Sequence, residues 1–271
     1  MMRKNIFEIL AERQDVDEAL IKIEELLSEP SVFNETLESV VEQECLQEWK
    51  ARGRTTCCDD IRKRLGIEPK KIRYKQLFEE EALLYLEYVS NMIWLLEREF
   101  ETSECDKEYK YLLENVYGLI NDMGFEIKVF EEEEKVLLVE KNAAATAVAE
   151  ICDSKTACEV IEYNHFLLKG NIDKKQKILK VLADKFESIR GEIRSVNKEL
   201  ESNTGYLLNK MNIRHNNVEG KGAIEYVKNL TNEEMEEWYD ETYQMILLCL
   251  LEHDNIERNR KVLDLKRNIE G

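Results

Sequence analysis

Proline is almost missing from these 271 residues, with only Pro30 and Pro69, and glycine is scarce at ten. With so few residues that break helices or open tight turns, long uninterrupted helices are the default expectation. Histidine occurs three times, and the seven cysteines (Cys45, Cys57, Cys58, Cys105, Cys152, Cys158 and Cys249) contain no Cys-x-x-Cys pair. Zinc-site spacing is therefore absent, and the odd cysteine number fits a reducing, cytoplasmic compartment. No apolar run approaches the roughly 18 residues of a membrane span. The opening "MMRKNIFEILAERQDVDEAL" breaks its apolar positions with charges, unlike a secretory signal. There is no P-loop, G-x-G-x-x-G, G-x-S-x-G or H-E-x-x-H, so the common nucleotide-binding and hydrolase folds lose support.

What is present is charge on a sizeable apolar background. Apolar residues make up 43% of the chain and charged residues 35%, enough for a core and a well-solvated surface. The formal net charge of -18 argues against non-specific nucleic-acid binding. The average hides two basic islands. From Lys50 to Lys75 there are ten Lys or Arg against Asp59, Asp60 and Glu68, and from Tyr163 to Gly222 twelve against seven acids. Such islands either hold an anionic ligand such as RNA or are helix faces paired with acids one turn away.

Periodicity places the elements. Ile6, Leu10, Leu20, Ile23 and Leu27 predict a first helix ending near Pro30, and Val32, Leu37, Val40, Val41 and Trp49 a second. Residues 77–100 read as a buried helix whose Tyr85, Tyr88 and Trp94 belong to the core, and "EYKYLLENVYGLINDMGF" as another, ended by Gly124. "FEIKVFEEEEKVLLVEKN" alternates as a β-hairpin does, with Glu131 to Glu134 as a solvated turn. In the next long helix, capped by Asn171 or Asp173, Ile178, Leu182, Phe186, Ile189, Ile193, Val196 and Leu200 form a near-heptad seam, suited to an antiparallel bundle. A shorter helix covers Gly205 to Asn212. The last begins at the capping box "TNEE" (Thr231, Glu234) and runs to about Glu252. The expected fold is all-α, a helical bundle with one small β-hairpin near the middle. Residues 1–122 form an N-terminal helical region, and 123–271 the hairpin with a C-terminal bundle.

Among the histidines, His253 suits a helix C-terminus, and His165 in "IEYNHFLLKG" suits a hydrogen-bonded turn. His215 lies in "NKMNIRHNN", beside a guanidinium fork matched to phosphate and near Asn212, Asn216 and Asn217, which add no negative charge. A phosphodiester cleaved by its own 2′-hydroxyl needs a base and a cation, and His215 with Arg214 could supply both without a metal or other cofactor. The alternative is a structural corner, with asparagines in left-handed conformations and Arg214 capping carbonyls or pairing with an acid. A carboxylate-metal enzyme lacks the Glu-x-x-His pairing that helical-bundle metal sites use.

The element order and "NIRHNN" over roughly 123–251 resemble the helical abortive-infection (AbiJ-like) proteins of bacteria, related to the HEPN superfamily. The resemblance implies a helical fold, a part in phage defence or a toxin-antitoxin system, and metal-independent cleavage of RNA at motifs paired across a homodimer cleft. The HEPN pattern is an arginine, a polar residue, several variable positions and a histidine. It carries over as Arg214 and His215, with Asn216 and Asn217 positioning the phosphate. The terminal histidine would fall at Val218, Glu219 or Gly220, and none of these is histidine. Either His215 is itself the base of a shortened motif, or the chain is a non-enzymatic relative that binds a regulatory or antitoxin-like protein.

Overall fold

The computed structural model of the chain describes residues 15–28, 30, 35–100 and 107–270. The chain divides into two compact units, Met1–Lys141 and Asn142–Gly271, each with its own core. Apart from one two-stranded antiparallel hairpin, the described elements are helical. The all-α expectation holds. Ile6, Leu10, Val32 and Cys105 lie outside the described residues.

In the first unit, α1 (Val16–Ser28) buries Leu20, Ile23 and Leu27 at helical spacing. The helix expected to reach Trp49 breaks up instead. A short α2 (Leu37–Val40) runs into a π-helical turn (Val41–Cys45), and Trp49 lies beyond it, its indole N–H donating to the Glu134 carbonyl at 2.6 Å. After α3 (Cys58–Leu65), Gly66 takes φ 71°, the left-handed conformation that closes a helix, and Pro69 opens α4 (Pro69–Arg73). Helix α5 (Glu79–Glu99) is buried along most of its length, with Tyr85, Tyr88 and Trp94 in the core as expected.

Helix α6 (Lys107–Asp122) leads through Gly124 into β1 (Phe125–Phe130) and β2 (Lys135–Glu140), paired from Phe125 opposite Glu140 to Phe130 opposite Lys135. The free edge of β2 is met by side chains of α5. Asn91 donates to the Val136 carbonyl and accepts from the Val136 N–H, both at 2.9 Å, and the Glu87 carboxylate accepts from the Leu138 N–H at 2.8 Å. Glu134 departs from the expected solvated turn. It takes φ 52°, pairs with Lys50 at 3.1 Å and Arg98 at 3.2 Å, and is held below the usual carboxylate pKa first by the Lys50 backbone N–H. These contacts place the hairpin in the first unit rather than with the C-terminal bundle, so the division falls after Lys141, not at 122.

The second unit is a helical bundle: α7 (Ala143–Ile151), α8 (Ser154–Glu162), α9 (Ile172–Val196), α10 (Lys198–Lys210), α11 (Glu225–Lys228) and α12 (Asn232–Glu270). Asn171 caps α9 by accepting from Lys174. The seam from Ile178 to Ile193 is buried in one cluster with Tyr239, Tyr243, Ile246 and Leu250 of α12. It stops short of its expected end, because Asn197 closes α9 and caps α10 with the same residue, leaving Val196 exposed and starting α10 at Lys198 rather than Gly205.

At the start of α12 the capping box forms: the Thr231 hydroxyl accepts from Glu234 N–H and the Glu234 carboxylate from Thr231 N–H. The helix continues past Glu252 to Glu270. Residues 253–270 hold no glycine or proline and carry the local pairs Asp254–Arg258, Glu257–Arg260 and Asp264–Arg267. His253 is therefore internal, 3.6 Å from Glu192, and caps nothing. His165 does hold a turn, its ring nitrogen accepting from Leu167 N–H at 3.4 Å.

Asp153 caps α8. The Thr156 backbone N–H, the Lys185 ammonium and the Thr156 hydroxyl hold its carboxyl well below the usual carboxylate pKa. A lowered folded-state pKa adds stability that is present above the unfolded value near about 3.9 and lost as pH falls through the folded one. Asp153→Asn keeps the cap but removes the charge. The variant should show a shallower loss of thermal stability between about pH 5 and pH 2 than the wild type; an identical slope would refute the assignment.

Candidate functional site

The stretch "NKMNIRHNN" closes α10 and turns back against α9 of the same unit. Asn212 takes φ 58°, a left-handed conformation that asparagine tolerates better than most residues. The turn is closed by a reciprocal pair: Asn217 Oδ1 accepts from Asn212 N–H and Asn212 Oδ1 from Asn217 N–H, each at 3.1 Å. Asn217 is buried, and its carbonyl accepts from Ile224 N–H at 2.8 Å. Ile213, also buried, anchors the turn in the core.

The four candidate residues fall into different environments. Arg214 folds back onto α9, donating to the Ala183 carbonyl at 2.8 Å and pairing with the Glu187 carboxylate. Burial raises the Glu187 carboxyl, but the guanidiniums of Arg214 and Arg190 outweigh it and leave its pKa below the ordinary value. Asn216 is exposed, and its side-chain oxygen accepts from the N–H groups of Val218 and Glu219 at 3.2 and 2.9 Å. Asn217 is committed to Asn212. His215 is exposed, with no side-chain hydrogen bond among the described residues.

A cleft of about 380 Å³ opens here, with Gln176 and Lys180 of α9 facing Arg214, His215 and Asn216. Gln176 donates to the Asn212 carbonyl and accepts from Lys180 at 3.1 Å. Sequence reasoning passed over Gln176, Lys180, Ala183 and Glu187. Their four-residue and seven-residue steps along α9 put them on one face, but nothing local ties that face to a loop some 30 residues on.

The arrangement offers one free imidazole and the ammonium of Lys180, while the planar guanidinium that would clamp a phosphate already serves a carboxylate and a carbonyl. Part of each basic island is similarly engaged. In the first, Arg62 is buried between Glu24 and Glu38, and Lys63, Arg64, Lys71 and Lys75 pair with Asp59, Asp60, Glu81 and Glu18. In the second, Lys175 is buried against Glu236 and Asp240, and Lys185 and Arg190 pair with Asp153 and Glu201. Among the described residues no cluster of three or more His, Cys, Asp or Glu is arranged to hold a metal ion, and no helix is long and apolar enough to cross a membrane. Comparison with known proteins finds no matching family model, no similar curated protein and no similar solved structure.

Proposed function

We propose that this chain is a non-enzymatic helical interaction module, a regulatory or antitoxin-like component of the defence systems that its element order resembles, with Arg214 to Asn217 as a structural corner. One observation carries the reading: three of the four candidate side chains are used up in folding the loop, Arg214 on Glu187 and Ala183, Asn216 on Val218 and Glu219, and Asn217 on Asn212. The formal net charge of -18 favours a protein partner over RNA. A reducing compartment suits its free thiols.

Removing Arg214 then costs stability rather than activity. Arg214→Ala should lower the unfolding free energy by about 1.5–3 kcal/mol, the range for hydrogen bonds to charged groups. Purified wild-type protein should leave total RNA intact in EDTA. RNA cleavage lost in both Arg214→Ala and His215→Ala would overturn the proposal.

That outcome would establish the second reading, a metal-independent ribonuclease. It draws on the exposed, uncommitted imidazole of His215 at a cleft shared with Lys180. There His215 would serve as base or acid and Lys180 would meet the phosphate, with Arg214 acting through the shape of the loop.

A further inference from the structure

The last four turns of α12 run past the bundle core, tied to it by Arg260, which pairs with Glu192 of α9 at 3.0 Å. Residues 257–270 are exposed at every position, about 21 Å of helix with no core against it. Isolated helices of fewer than about 12–15 residues are marginal in water, and this one carries an apolar stripe. Val262, Leu265 and Ile269 are 48%, 57% and 74% exposed. Followed back at the same alternating three- and four-residue steps, the line runs through the polar Arg258 and Asn255 and through Leu251, half-buried with one side against the bundle core, to Leu248, 51% exposed on the solvent side of the packed part of the helix. Steps of 3, 4, 3, 4, 3 and 4 make a coiled-coil seam.

We propose that this seam is a homodimer interface in which α12 pairs with α12 of a second copy, antiparallel. With the two-fold axis between Ile256 and Glu257, Leu248 meets the partner's Leu265 and Leu251 meets the partner's Val262. The two polar seam positions meet each other, with the Asn255 amide oxygen facing the partner's Arg258. The flanking positions place Asp254 against the partner's Lys261, twice by symmetry. A parallel pairing in register would set Arg258 against the partner's Arg258 in the seam, and Lys261 against the partner's Lys266 beside it, like charges in both places. Charge complementarity thus selects both the occupant and its direction. The dimer names a partner for the interaction module but does not depend on the corner. RNA cleavage by the wild type would end the module reading and leave the dimer standing.

The test is sedimentation equilibrium of the full chain from 5 to 200 μM, at about 0.1 M salt. Wild type should approach twice its 32.0 kDa mass. Val262→Glu with Leu265→Glu should stay at 32.0 kDa and show a thermal midpoint that does not rise with protein concentration, equal to that of dilute wild type, because both positions are exposed and outside the core. Asp254→Lys should weaken association about tenfold, and adding Lys261→Asp should restore it. A wild-type monomer at 200 μM, or a dimer indifferent to the two glutamates, overturns the interface. Lys261→Asp alone tightening association overturns the antiparallel direction.

Discussion

Arg62→Ala should destabilise the first unit by about 3–5 kcal/mol, the range measured when one member of a buried ion pair is removed. The Arg62 guanidinium is almost fully buried, 2.5 Å from Glu38 and 3.2 Å from Glu24. Tyr85 and Tyr88 donate to the same two carboxylates at 2.7 and 2.6 Å. Burial alone would push the cation toward its neutral form, but the two carboxylates hold its pKa above the usual arginine value. Without it, two carboxylates face each other in the core with only phenol donors. Glu24 must then be drawn toward the surface, which loosens α1 from α5. Urea titration should show the loss, and hydrogen exchange should locate it in residues 15–28 and 79–99. A midpoint within experimental error of wild type would mean the cluster is open to water. Arg62→Met with Glu24→Leu and Glu38→Leu should recover much of the loss, since a well-packed apolar replacement is often as stable as a buried pair.

Phe186→Ala should cost the second unit a similar amount, about 3–5 kcal/mol. Phe186 is fully buried at the centre of the α9 seam, and the Arg190 guanidinium lies over its ring, 5.8 Å from the centroid. Truncation removes the ring's transfer free energy and leaves a void that the neighbouring helices fill only partly. Phe186→Leu keeps most of the volume and should cost much less, about 1–2 kcal/mol. The exchange pattern discriminates: protection should fall along 172–210 and 232–250 while residues 79–99 keep theirs. Equal loss in both units from either variant would show that they unfold as one.

How much of this was legible in the sequence depends on how far apart the interacting residues are. Thr231 and Glu234 sit three positions apart, and their capping box was readable because both halves lie within one turn. The buried seam of α9 and the period-two hairpin were readable for the same reason, since each repeats over a few residues. The partner of Arg214 was not, because Glu187 is 27 residues away and one acid among many in a chain of net charge -18. The end of α12 was misplaced because its apolar positions point to solvent, so the pattern that marks a core helix fades while the backbone continues. The loop's shape is legible only as an alternative, asparagines in left-handed conformations with Arg214 capping carbonyls or pairing with an acid, and nothing in the sequence says that the asparagine is Asn212 or the carbonyl that of Ala183.

The hold of α5 on β2 has a consequence for association between molecules. A two-stranded ribbon offers two edges of unpaired amides, and either can recruit a strand from another chain and seed fibril growth. Asn91 and Glu87 occupy the β2 edge, so a recruited strand would find the Val136 and Leu138 amides already engaged. At that edge a single helix acts as a gatekeeper, and loss of the Asn91 amide would be felt first as a tendency to aggregate through β2 under mild denaturing stress.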